Sequence, residues 1–271
     1  MDGSDVNIIR HFEKYCELDD DDRTLLTELE RHPMTLTAGE LLWEEHQAID
    51  AFCLLRKGWA YSYRSMNDGT RQVLDVYLPG DVIGLREFSF QRRLSSVAML
   101  TEASLGRFNH RYLIGLFGSS HRATALFFSM LAGQQALLTE RLVNIGRRNA
   151  REKLAHFICE MYMRLKRVYP ELPQHFHMPL SQQMLADILG LSSVHVSRTF
   201  SELREAGLVY RDRNRIEIPD PEALIEATQF SDHYLRERVA DHLFESGKPW
   251  PETAVAAKGS PVGQGRAADP E

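Results

Sequence analysis

Between Leu180 and Phe200 the chain reads LSQQMLADILGLSSVHVSRTF, and the residue types in this run suit recognition of base edges. Arg198 carries a guanidinium that can donate twice to guanine O6 and N7. Ser197 and Ser201 carry small hydroxyls, and Val194 offers methyl groups to a thymine. They act together only if one helix presents them on one face. The spacing predicts such a helix. Ser181 is the N-cap of a short first helix in which Leu185, Ile188 and Leu189 recur at three and four. Gly190 sits where the chain must turn with positive φ. Ser192 or Ser193 then caps a second helix, with Val196, Phe200 and Leu203 on its packing face and Val194, Ser197, Arg198 and Ser201 on the other. The pattern is a helix-turn-helix with a recognition helix at 193–204. On this run alone, an ordinary helical hairpin stays open.

The next residues favour the first alternative. Gly207 stops the helix. Leu208-Val209-Tyr210 and Ile216-Glu217-Ile218 are β-prone and flank the polar stretch Arg211 to Arg215, which predicts a hairpin. A helix-turn-helix followed at once by a hairpin is a winged helix. Its tip carries Arg211, Arg213 and Arg215, expected with Ser181 and His195 to contact DNA phosphates. His195 is equally compatible with a solvated helix position, and the arginines with an ordinary solvated hairpin.

Charge is distributed accordingly. The 271-residue chain has a net charge of −6, yet residues 141–215 hold thirteen Lys or Arg against seven Asp or Glu, a local +6. A basic module joined to an acidic one fits a DNA-binding domain attached to a sensor. The hydrophobic content of 43% and charged content of 26% are those of an ordinary globular protein. The apolar stretch at 123–132 is too short to cross a bilayer, and the acidic start MDGSDVNIIRHFEKY lacks the order of a signal peptide. Three scattered cysteines, Cys16, Cys53 and Cys159, fit a reducing compartment. The expectation is a cytoplasmic protein with no membrane partner.

The elements that must position the recognition helix follow from periodicity. Residues 5–32 carry helical spacing, and the acidic run Asp19 to Asp22 favours a helix start. From Met34 to Phe108, short apolar runs alternate with glycine turns. Tyr61–Arg64 and Gln72–Tyr77 frame Asn67-Asp68-Gly69 as a hairpin, within a β-sandwich or roll. A proline-free helical stretch from Ser120 to Arg147 has apolar residues on more than one face, so it needs partners on two sides. The simplest second partner is the same helix of another subunit, although packing within one chain is the alternative. Asn149 to Val168 is a further amphipathic helix. The expected α+β organisation is 1–119 helical start and β-roll sensor, 120–148 dimerisation helix, 149–228 winged helix-turn-helix, 229–245 C-terminal helix and 246–271 disordered tail.

With the phrases PGDVIG (79–84), LTERLVNIGRRNAREKLAHFICEM (138–161) and LADILGLSSVHVSRTFSELREAGLV (185–209), the chain resembles the Crp/Fnr family over roughly residues 24–228. The resemblance implies a cyclic-nucleotide-binding-like β-roll and a homodimer that reads a pseudo-palindromic operator on double-stranded DNA and works with RNA polymerase. It also implies base contacts from Ser193, Val194, Ser197 and Arg198. Val194 departs from the glutamate of many relatives, so their operator does not carry over.

The resemblance places a possible effector pocket at Gly84, Leu85, Arg93, Leu94, Leu138 and Thr139. Where nucleotide binders carry a glutamate and a serine, this chain has Leu85 and Leu94. Cyclic-nucleotide binding is therefore not expected, and the effector stays unknown. Three unclustered cysteines do not suit an iron–sulfur cluster. No spacing selects a haem ligand among His46, His110 and His121. His175-Phe176-His177, beside two prolines, reads as a loop rather than a metal site. No phosphate loop, HExxH or nucleophile elbow occurs, so no enzyme is expected. The rival to a DNA-binding regulator is a DNA-independent ligand sensor or scaffold, which has no need of Arg198 or a basic wing.

Overall fold

In the computed structural model, which describes residues 7–236, 238, 239 and 244, the acidic run starts a helix as expected. After α1 (Ile8–Phe12), Asp19 caps α2 (Asp20–Thr27) in a reciprocal box with Asp22. Asp22 also accepts from the Ser120 hydroxyl, the N-cap of the long helix, and so ties the two helix starts together.

Eight strands follow: β1 (Pro33–Leu36), β2 (Leu41–Trp43), β3 (Phe52–Lys57), β4 (Ala60–Ser65), β5 (Arg71–Tyr77), β6 (Val82–Ile83), β7 (Ser96–Met99) and β8 (Ala103–Phe108). They form two four-stranded sheets, β1-β8-β3-β6 and β2-β7-β4-β5. The hairpin around Asn67-Asp68-Gly69 is β4–β5, with Ser65 opposite Arg71. Trp43, Cys53, Leu55, Tyr77, Ile83, Val97, Met99 and Leu105 fill the interior of the roll. Alternation of apolar and polar residues is what buries one face of such short strands.

Beyond α3 (His110–Ser119), the helix α4 (His121–Arg147) runs for 27 residues, roughly 40 Å at the rise of an α-helix. Asn149 caps α5 (Ala150–Val168) through a second reciprocal box with Glu152. Then come β9 (His175–His177), α6 (Gln182–Leu189), α7 (Ser193–Glu205), β10 (Tyr210–Asp212), β11 (Arg215–Glu217) and α8 (Pro221–Thr228).

Three expectations change. His175-Phe176-His177 is a strand, paired antiparallel with β11, so the wing is a three-stranded sheet. Phe176 faces inward and supplies the apolar anchor that the flanking prolines obscured. The wing strands take up most of the polar stretch, leaving Arg213-Asn214 as the turn, with Arg213 at φ 52°. The helix expected over 229–245 is absent among the described residues after Thr228. Gln229 ends α8 at φ 49°, and a single 3₁₀ turn spans His233–Leu235. The expected tail, 246–271, lies outside the described residues.

The core does not stop at the expected boundary between sensor and winged helix. Trp59, Tyr61, Val73, Val76 and Leu78 of the roll share one apolar cluster with Leu154, Phe157 and Ile158 of α5 and Leu185, Ile188 and Val196 of the helix-turn-helix.

Candidate nucleic-acid interface

The helix-turn-helix is built by its caps. Ser181 accepts from Met184 N at 3.1 Å and starts α6. Gly190 ends it at φ 62°, a left-handed conformation that costs glycine nothing. Ser192, rather than Ser193, caps α7, accepting from His195 N at 3.2 Å and lying 3.1 Å from His195 Nδ1. Val196 and Leu203 have no exposed area, which fixes the rotation of α7 against α5 and α6.

That rotation turns the candidate base-reading residues outward together. Val194 is 73% exposed, the largest exposure among the big hydrophobics of the described residues. Ser197 and Arg198 are exposed and Ser193 half-buried. The Arg198 guanidinium is held by Glu202 one turn on, Nε to Oε1 3.2 Å, with 79% of its side chain exposed. An exposed i,i+4 pair of this kind is worth only a few tenths of a kcal/mol, so Arg198 is free to exchange Glu202 for a base. His195 is exposed at the N-terminus of α7.

The wing divides into two kinds of arginine. Arg213 and Arg215 are exposed. Arg211 is not a free tip cation. It donates to the Leu180 carbonyl at 2.7 Å and the Arg213 carbonyl at 2.8 Å, and stacks over Phe200 at 4.7 Å. It fastens the wing to α7 and to the residue just ahead of the α6 cap. The local excess of +6 also overstates the surface charge, because Arg141 and Arg164 are buried.

Those two arginines belong to an ion cluster that sequence spacing did not reveal. Arg141 of α4 donates to Asp75 of β5 and, at 2.9 Å, to Glu160 of α5. Arg164 of α5 reaches the Val76 carbonyl at 3.0 Å and Asp81 at 2.8 Å. Arg86 adds a contact to Asp75 at 2.9 Å. Burial alone would push the Asp75 carboxyl up. The guanidiniums of Arg141, Arg86 and Arg164 outweigh that and hold it below the usual carboxylate range. A second tie joins α6 to the β4–β5 hairpin: Arg71 Nε meets Asp187 at 2.8 Å, and the Gln72 amide donates to the Asp187 carbonyl at 2.7 Å.

The possible effector pocket is occupied by the chain's own side chains. The Arg93 side chain is 1% exposed. It donates to Glu87 at 3.1 Å and to the Ala51 carbonyl, and its guanidinium lies 3.5 Å from the Trp43 ring centroid. Glu87 also accepts from Leu94 N at 2.8 Å. Glu87 thus stands where an anion would meet Arg93, a role that its sequence position did not suggest. Gly84, at φ 89°, lets this happen: a Cβ there would lie 2.9 Å from Arg93 Nη1. Leu85 is buried, Leu94 is 46% exposed, and Leu138 and Thr139 lie on the half-buried to exposed side of α4. The structure therefore brings Gly84 and Arg93 together and places Leu94 on the surface.

The three cysteines are buried, and burial pushes Cys53 and Cys159 up to about 12. No group of three or more metal-ligating side chains occurs among the described residues. No described helix is long and apolar enough to cross a membrane.

Known proteins show the same arrangement. Residues 152–227 match the Crp-like helix-turn-helix domain, and residues 33–120 match the cyclic nucleotide-binding domain. The nitrogen fixation regulation protein FixK of Rhizobium meliloti is 30% identical over 191 residues, covering 70% of this chain and 84% of the relative. The transcriptional activator protein FnrL of Cereibacter sphaeroides is 24% identical, covering 76% and 84%. Among solved structures, FixK2 from Bradyrhizobium japonicum superposes with a TM-score of 0.65 at 24% identity, covering 72% of this chain and 95% of that one. A CRP-family regulator from Thermus thermophilus gives a TM-score of 0.60 at 18% identity, covering 73% and 97%. The chain belongs to the Crp/Fnr family of DNA-binding transcriptional regulators, which is a family of regulators and not of enzymes.

Proposed function

We propose that this regulator acts as a cytoplasmic homodimer that presents two copies of α7 to successive major-groove faces of a pseudo-palindromic operator and there engages RNA polymerase. One observation carries the dimer. Along α4, Phe128, Leu131, Gln135, Leu138, Leu142 and Ile145 alternate at three and four residues, the repeat of a coiled-coil seam. Phe128 is 65% exposed and Leu142 72%. A stripe of that length is costly to leave in water, and a twofold copy of itself covers it. Gln135 is the one polar residue in the seam and favours a single register.

In this reading Val194, Ser197 and Arg198 read bases with Ser193 beside them, while Ser181, His195, Arg213 and Arg215 position the domain on phosphates. The sensor does not bind cyclic AMP, because Glu87 already neutralises Arg93. Sedimentation of the full chain at micromolar concentration tests the dimer. The expected result is a dimer that Leu142→Glu converts to monomer; a wild-type monomer would refute it.

A further inference from the structure

The motif His175-Phe176-His177 remains unused by the DNA-binding account. As a strand, β9 puts His175 and His177 on one face, and pairing sets Arg215 directly beside His177. Among the described residues, these three side chains have no hydrogen-bond or ion-pair partner. They face a cavity of about 740 Å³ whose opposite wall is the roll: Lys57 and Trp59 at the β3–β4 turn and Glu102 at the β7–β8 turn. Tyr169 and Phe176 complete its walls. Small-molecule sites have this order of volume.

Among the described lining residues the charges do not balance. Lys57 and Arg215 are cations, and Glu102, 3.9 Å from Lys57, is the one acid among them. Two imidazoles add further donors. An anion accepting from Arg215, His177 and Lys57 would satisfy them, and a planar ring attached to it would meet Tyr169, the half-buried aromatic residue of the lining.

We propose that this cavity is a binding site for a small phosphorylated molecule bearing a flat ring, of the size and chemistry of a mononucleotide. It is separate from the position of Arg93 and Gly84. The ligand would touch the roll and the wing at once, and so would favour the arrangement in which they are packed together. It would also engage Arg215. That last consequence rests on the reading of Arg215 as a DNA-phosphate contact.

Calorimetry on the full chain without DNA tests the site independently of that reading. The probes are AMP, inorganic pyrophosphate and adenosine. The expected result is that AMP binds more tightly than pyrophosphate and that adenosine gives no heat. Lys57→Gln with His177→Gln should weaken AMP roughly tenfold or more, the effect of losing charge-assisted hydrogen bonds. Neither residue lies in the core, so the unliganded melting temperature should be unchanged. No heat from AMP at millimolar concentration would overturn the proposal. So would AMP binding that the paired substitution leaves intact, and equal affinities for AMP and pyrophosphate would remove the ring from it.

Discussion

Arg141 of α4 and Glu160 of α5 form a buried ion pair, Nη2 to Oε1 2.9 Å, and the same guanidinium holds Asp75 of the roll. One side chain thereby joins the long helix, the β-roll and the first helix of the DNA-binding domain. Replacing it with an apolar residue removes the shared partner of two buried carboxylates, leaving Asp75 to Arg86 and Glu160 to Arg164 at 3.5 Å. Arg141→Leu is expected to cost about 3–5 kcal/mol, read as a shift in the urea midpoint. A loss below about 1 kcal/mol, the range of exposed pairs, would show that the cluster is solvated and not a joint.

Two buried histidines make the fold acid-sensitive. Burial, then the charges of Lys14 and Arg167, lower His11 from 6.5 to about 3. Burial and then Arg148 lower His156 to about 4 against the opposing pull of Glu140. The 3.1 Å contact between His156 and Glu140 is then a neutral imidazole donating to a carboxylate. Both folded values lie below the unfolded one, so their contribution is complete above about pH 6.5. It falls as the pH drops toward the folded values, by about 1 kcal/mol per pH unit for each histidine. Urea unfolding at pH 7.5 and 5.5 checks this, and His156→Gln should flatten the slope. Equal stability at the two pH values would sink the account.

The wing arginines are expected to separate by assay. Arg213→Ala and Arg215→Ala should weaken binding to all sequences alike and flatten the dependence on salt, since phosphate contacts release counterions without reading bases. Arg211→Ala should instead lower the melting temperature, because it loses the Leu180 carbonyl and the Phe200 ring. If Arg211→Ala leaves the melting temperature unchanged and alters only the salt slope, its inward contacts do not persist in solution.

Much of this architecture was legible in the sequence because it rests on local rules. The cap at Ser181, the cap at Ser192 or Ser193, the helix start at the acidic run Asp19 to Asp22 and the turn at Gly190 each need only neighbours in the chain. The roles of Glu87, Asp75 and Arg211 were not legible, since each is defined by a partner brought near only by folding. Glu87 lies six residues from Arg93, and Asp75 is 66 residues from Arg141. His175–His177 was missed as a strand because its pairing partner, β11, lies across the whole helix-turn-helix.

Cyclic AMP is expected to produce no calorimetric signal and no change in DNA affinity. Arg93 already holds Glu87 and stacks on Trp43, so a cyclic phosphate would have to displace a buried carboxylate. Micromolar binding that also tightens DNA affinity would overturn this part of the account.

The central claim, that α7 reads DNA through its exposed face in a twofold assembly, is tested most directly by selecting bound sequences from random duplexes with the wild-type protein and with Arg198→Ala. The account predicts a palindromic site for the wild type. For the variant it predicts the same site with one symmetric pair of positions relaxed, a loss of about 1–3 kcal/mol of discrimination at each. Recovery of no palindrome, or a variant whose selected site is unchanged at every position, would contradict it.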